Sequence, residues 1–263
     1  MSTEPLLHVE HLTKNFGGIV AVSDLSFDVM PKEIFGIIGP NGAGKTTVFN
    51  LITGVYEPTS GKVTFEGKDI TGKAPEEVVK VGITRTFQNI RLFNKLTVIE
   101  NVITALDLNF KKYSIGEALF TNIPFVKNKI KKGEIELREQ AKEYLRLVGI
   151  EHLAYEKAES LPYGLQRKLE IARAVALQPK LLILDEPAAG MNPEETRELT
   201  ELIREIAKKL DLTVLLIEHH MDLVMNLCDR LYVINFGGFL AEGTPEEVQN
   251  NQAVLDAYLG GDE

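Results

Sequence analysis

Residues Gly39-Pro40-Asn41-Gly42-Ala43-Gly44-Lys45-Thr46-Thr47 follow the spacing G-x-x-x-x-G-K-[ST]. Each residue type has a chemical reason to stand there. Glycines such as Gly42 and Gly44 let the backbone wrap a phosphate chain with its N–H groups turned inward. A helix beginning at the end of the loop aims its positive N-terminus at the same anion. Lys45 sets a cation on the β- and γ-phosphates, Thr46 offers a hydroxyl to Mg²⁺, and Thr47 can donate to a phosphate oxygen. This motif alone does not separate an ATPase from a GTPase or a small-molecule kinase.

A second constellation is Leu181-Leu182-Ile183-Leu184-Asp185-Glu186. Four apolar residues predict a buried strand, which delivers two carboxylates to the carboxyl edge of a sheet, where open α/β folds bind ligands. Asp185 is suited to hold Mg²⁺ through water, and Glu186 to polarise an attacking water. The chain has no Asn/Thr-Lys-x-Asp segment, which counts against a GTPase. His219 and His220 are adjacent. On an extended segment they point to opposite sides, so a shared metal is not expected. Cys228 is the single cysteine. It excludes an internal disulfide and reads as a small buried apolar residue in a reducing compartment.

These groups need a scaffold, and the pattern supplies one. Strands are expected at Leu6–Val9, Leu25–Val29, Glu33–Ile38, Lys62–Phe65, Leu181–Leu184 and Val214–Ile217, with a hairpin over Leu231–Leu240. Helices are expected at Thr46–Thr53, Gly164–Leu177 and Pro193–Leu210, the last capped by Asn192 with Pro193 in its first turn. Apolar strands alternating with helices imply a mainly parallel sheet covered by helices. From Thr97 to about Gly149 the pattern is helical, with Ile135, Leu137, Ala141, Tyr144, Leu145 and Val148 on or near one face. Lys111, Lys112, Lys127, Lys129, Lys131 and Lys132 read as a solvated part of this insertion rather than a lipid-facing patch.

Composition agrees. The 263 residues are 44% hydrophobic and 25% charged, with a formal net charge of −9. An acidic surface is a poor start for a nucleic-acid binder. Met1–Pro5 does not begin a signal peptide, and no apolar run is long enough to span a bilayer.

Taken together, these motifs resemble the ATPase subunits of ABC transporters over nearly the full chain. The resemblance implies an α/β P-loop NTPase (RecA-like) core with an N-terminal antiparallel β subdomain and an inserted α-helical subdomain. The core would span 1–90 and 166–263, and the insert 91–165, ending in the signature motif. ATP and Mg²⁺ are the implied cofactors. Phe16, in Lys14-Asn15-Phe16-Gly17, stands where the family stacks an aromatic ring on adenine. Asn41, Gly42, Gly44, Lys45, Thr46 and Thr47 would hold the phosphates. Gln88, in Thr86-Phe87-Gln88-Asn89, matches the glutamine loop that touches metal and water. Metal contacts would thus come from Thr46, Gln88 and Asp185, and catalytic ones from Glu186, Gln88 and His219. Leu161-Pro162-Tyr163-Gly164-Leu165-Gln166-Arg167 occupies the signature position, with Gly164 acting in trans on the partner's nucleotide. Ala189-Gly190-Met191-Asn192 matches the D-loop.

Further stretches are similar to the high-affinity branched-chain amino-acid importers. They are Arg85–Phe93, Leu96-Thr97-Val98, Glu100-Asn101-Val102, Glu186–Thr196, Gly243–Glu247 and Ala257–Gly260. Such systems imply a second ATPase subunit, as a different chain or a second copy, two membrane permeases and an external binding protein, with no nucleic acid. The subunit would sit peripherally on the cytoplasmic face of the membrane. Urea or amide importers, lipopolysaccharide exporters and soluble ATPases of DNA repair or translation are the alternatives. One departure stands out. Pro162 replaces the signature serine and Leu165 a glycine or polar residue, which removes a hydroxyl and an N–H donor from the γ-phosphate site.

Overall fold

The computed structural model describes residues 4–109 and 124–259, without the side chains of 108–132 and 259. Lys111, Lys112 and the side chains of Lys127, Lys129, Lys131 and Lys132 fall outside these described parts, as does Gly260. Two compact units are present: one holds the described residues up to Gln88 and from Pro179 onward, the other Asn89–Gln178.

Among the described residues of the first unit, ten strands form two sheets. β1 (Leu7–Phe16), β2 (Ile19–Val29), β4 (Ser60–Phe65) and β5 (Lys68–Asp69) make an antiparallel sheet in the order β2-β1-β4-β5. The six-stranded sheet runs β10 (Gly238–Gly243), β9 (Arg230–Asn235), β3 (Ile34–Ile38), β8 (Thr213–Ile217), β7 (Leu181–Asp185), β6 (Ile83–Arg85). Its strands pair in parallel except at the β9–β10 hairpin. All residues of β3, β7 and β8 are buried, as strands covered on both faces require. Helices α1 (Lys45–Ile52), α2 (Pro75–Lys80), α6 (Pro193–Lys209), α7 (Met221–Leu227), α8 (Pro245–Gln249) and α9 (Gln252–Leu259) complete the unit. The α6 start is capped as its sequence predicts: the Asn192 side chain accepts from the N–H groups of Glu194 and Glu195 behind Pro193. Cys228 is buried and burial pushes its thiol pKa up.

The first strands are longer than alternation alone suggested. A register shift, with His11 and Asp24 in the left-handed region, breaks the period-two pattern midway along β1–β2. β6 is three residues long and carries too short a pattern to be read alone.

In the second unit, α3 (Val98–Asn109), α4 (Pro124–Leu147) and α5 (Tyr163–Ala176) pack on one another. Val102, Leu106, Ala141, Leu145, Leu169 and Val175 are buried there. Ile135 is 53% exposed rather than part of this face. At 100° per residue it lies about 120° around the helix from Ala141. The unit takes in the whole of α5, which packs on both α3 and α4, and so extends past residue 165, the expected end of the insert.

Candidate functional site

Strand β3 feeds the phosphate loop and α1 leaves it. The loop is wedged in place by backbone. A Cβ on Gly39 would lie 2.0 Å from the Ile234 carbonyl oxygen. At Gly44, φ is +101° and a Cβ would lie 2.4 Å from the Ala21 oxygen. Both positions therefore require glycine. The Gly237 N–H donates to the Ala43 carbonyl at 3.0 Å and ties the β9–β10 turn to the loop.

Lys45 is buried, and its Nζ donates to the carbonyls of Gly39 (2.7 Å) and Pro40 (2.9 Å). Burial lowers its pKa, opposed in part by the Glu186 carboxylate. Around the loop lies an open cavity of about 480 Å³. Asn41–Thr47 form its polar floor, and Ile19, Val20, Glu186 and Phe236 stand on its walls.

Parallel pairing of β6, β7 and β8 brings the remaining groups to one sheet edge. Asp185 ends β7, and its Oδ2 accepts from Arg85 Nη2 at 2.5 Å. Arg85 Nη1 also donates to Asn50 Oδ1 at 2.7 Å and Thr53 Oγ1 at 3.3 Å, while its guanidinium lies over the Phe49 and Phe87 rings. Glu186 follows with φ +45°, a left-handed conformation rare for glutamate. Its N–H donates to the Ile217 carbonyl at 2.9 Å. Its Oε2 accepts from Gln88 Nε2 at 2.7 Å, with His219 Nδ1 3.8 Å away. Three residues far apart in sequence thus meet on one carboxylate, beside the phosphate loop.

The two histidine rings do not diverge. Their centroids lie 4.3 Å apart, because β8 ends at Ile217 and His220 caps α7, so the segment is not an extended strand. Glu218 organises them. Fully buried, it accepts from the N–H groups of Ala188, His219 and His220 and contacts His220 Nδ1 at 2.9 Å. Ligand atoms of Glu218, His219 and His220 lie within 4.8 Å of one another. The carboxylate is already taken up by four donors, so the group acts as a hydrogen-bond hub.

Phe16 lies at the end of β1, 42% exposed, with Tyr56 edge-on at 5.2 Å and Lys14 Nζ 5.1 Å from its ring. Gly164 is half-buried in the first turn of α5, in the second unit. Pro162 caps that helix without a side-chain bond. Arg85 and Glu218 carry geometry that sequence reading missed. Arg85 had one signal, its place three residues before Gln88. Glu218 had only its position beside His219.

Phosphate loop, acidic strand end and inserted helices together define an ATP-binding cassette, and the chain belongs to the ABC transporter family, whose model matches residues 22–189. Residues 240–263 match a second model, the branched-chain amino acid ATP-binding cassette transporter. Among relatives, the LivG high-affinity branched-chain amino acid transport ATP-binding protein of Escherichia coli is 45% identical, over 98% of this chain and 99% of its own. BraF of Pseudomonas aeruginosa, with the same description, is 44% identical over the same shares. A solved ATP-binding cassette of an ABC transporter in its ADP conformation superposes with a TM-score of 0.83. It is 35% identical and is covered in full, with 98% of this chain. The expected α/β cassette fold is the one present.

Proposed function

We propose that this chain is the ATP-hydrolysing subunit of a transporter that imports branched-chain amino acids. The convergence of Gln88, Glu186 and His219 beside the phosphate loop carries the ATPase part of this reading. The match over 240–263 and the descriptions of LivG and BraF support the cargo.

In this reading the loop N–H groups and Lys45 hold the triphosphate, and Phe16 faces the base. Lys45 exchanges its two loop carbonyls for phosphate oxygens. Thr46, Gln88 and Asp185 present hydroxyl, amide and carboxylate oxygens, a hard donor set that suits Mg²⁺. Bound there, the ion would neutralise phosphate charge and orient the γ-phosphate. Glu186 accepts a proton from water as its oxygen bonds to the γ-phosphorus and the bond to ADP breaks. Gln88 orients that carboxylate, and His219 contacts the γ-phosphate. A second ATPase subunit would cover the site with its signature helix, while Gly164 of this chain covers the partner's nucleotide. Closure excludes water and completes the site. Two membrane permeases would take up the resulting motion, and an external binding protein would deliver the amino acid. No described helix is long and apolar enough to cross a membrane. As the ATP-binding subunit of a membrane transporter, the chain is assigned a peripheral place on the cytoplasmic face.

The test is a pull-down of tagged Glu186→Gln with ATP-Mg²⁺ from detergent-solubilised native membranes. Stoichiometric recovery of two permeases and another ATPase subunit is the expected result. Recovery of this chain alone, or of soluble nucleic-acid machinery, overturns the importer reading.

A further inference from the structure

Phe236 is out of place by every local rule. It opens the two-residue turn between β9 and β10, where Phe236 and Gly237 have φ of +46° and +80°. Two consecutive positive φ values are the pattern of a type I′ turn, which favours Asn or Asp followed by Gly. A phenylalanine in the left-handed region is strained, because its Cβ crowds the neighbouring carbonyl. Burial does not compensate, since the residue is 90% exposed.

Its surroundings give the ring a task. The turn is held against the phosphate loop, with the Gly237 N–H on the Ala43 carbonyl at 3.0 Å and the Ser23 N–H on the Gly237 carbonyl at 2.8 Å. Phe236 stands on the wall of the same cavity as Asn41–Thr47. Ile19 and Val20 share that wall and are 71% and 52% exposed. One cavity is therefore lined by the polar groups of the phosphate loop and Glu186 and by three exposed apolar side chains. That mixed lining suits an amphipathic ligand whose phosphates meet the loop and whose remainder meets the apolar side chains.

We propose that Phe236 is a nucleotide-binding residue, closing the apolar wall of Ile19 and Val20 over the ribose–base end of ATP. It would act in addition to Phe16 and does not take part in the bond-breaking step. Strained residues concentrate where a ligand site demands them. The proposal rests on the ATP-site reading and extends it to the non-phosphate part of the ligand.

The test compares the full-length chain with Phe236→Asn, a residue the turn accepts. Calorimetric titrations with ATP and with inorganic tripolyphosphate separate the two ends of the ligand. The expected result is ATP binding weakened by roughly 3- to 10-fold, as for loss of one aromatic face. Tripolyphosphate binding stays unchanged, and the nucleotide-free melting temperature stays level or rises. Phe236→Trp keeps the wild-type ATP affinity. Unchanged ATP affinity in Phe236→Asn overturns the proposal. Equal losses for both ligands also overturn it, since the turn would then only brace the phosphate loop. Failure of the wild-type chain to bind ATP would instead sink the site reading itself, and Phe236 with it.

Discussion

Arg85 and Asp185 form a buried ion pair, Nη2 to Oδ2 at 2.5 Å, with side chains 7% and 5% exposed. The carboxylate expected to face Mg²⁺ is thus held from behind by a cation on the neighbouring strand. Removing one partner of such a pair strands the other charge in the interior. Arg85→Met is expected to lower folding stability by about 3 kcal/mol and to raise the Mg²⁺ concentration needed for half-maximal ATPase activity. Urea denaturation and a Mg²⁺ titration check the two parts. An unchanged Mg²⁺ requirement would reduce Arg85 to a stabilising role.

Glu186, the proposed general base, accepts from Gln88 Nε2 at 2.7 Å. Glu186→Gln is expected to bind ATP within a few-fold of wild type, while turnover falls about 10²- to 10⁴-fold. Single-turnover hydrolysis is the measurement. Near-normal turnover would remove Glu186 from the base role.

Burial lowers the Lys45 pKa below the ordinary lysine value of 10.5. Phosphate binding needs the ammonium, so ATP affinity should fall as pH rises through this lowered pKa. Folding runs the other way. Between the lowered pKa and 10.5 the unfolded chain binds the extra proton, so nucleotide-free stability contributed by Lys45 rises with pH. Calorimetric titration from about pH 7 to about pH 10 in paired buffers should show proton uptake on ATP binding. Lys45→Met should abolish both trends; if the uptake persists, another group is its source.

Glu218 gathers three backbone N–H groups, from Ala188, His219 and His220. Glu218→Ala leaves them without an acceptor and should cost about 3 kcal/mol of stability. Turnover should fall as well, since His219 loses its anchor. Glu218→Gln keeps one acceptor oxygen, which can serve the two histidine N–H groups but not that of Ala188 as well, and should recover only part of both. Equal melting temperatures for the Ala variant and wild type would argue against the hub.

Pro162 caps α5 with neither an N–H nor a side-chain acceptor. Pro162→Ser supplies both, and a serine cap adds about 1 kcal/mol to helix stability. In the assembled transporter we expect it to raise ATPase activity, because the partner's γ-phosphate regains donors. No rise in the purified complex would show that the proline signature is already competent.

Some of this was legible in the residues alone. Chemistry with contiguous signatures could be read directly: the loop from Gly39 to Thr47, the pair Asp185–Glu186, the Asn192–Pro193 cap. In each case the physical requirement is local, namely backbone turned toward an anion, carboxylates at a strand end, or an acceptor for the first helical N–H groups. The alternation of apolar strands and helices likewise announced a covered parallel sheet. Non-local pairing decided the rest. That β6 lies beside β7 puts Arg85 on Asp185, and no spacing in the sequence encodes that distance. Glu218 and Phe236 were equally silent. One gains its role from an N–H contributed by Ala188, the other from a turn bonded to a loop nearly two hundred residues earlier. Period and propensity describe neighbours along the chain, whereas the partners of a buried charge or an exposed ring are fixed by which strands the sheet sets side by side.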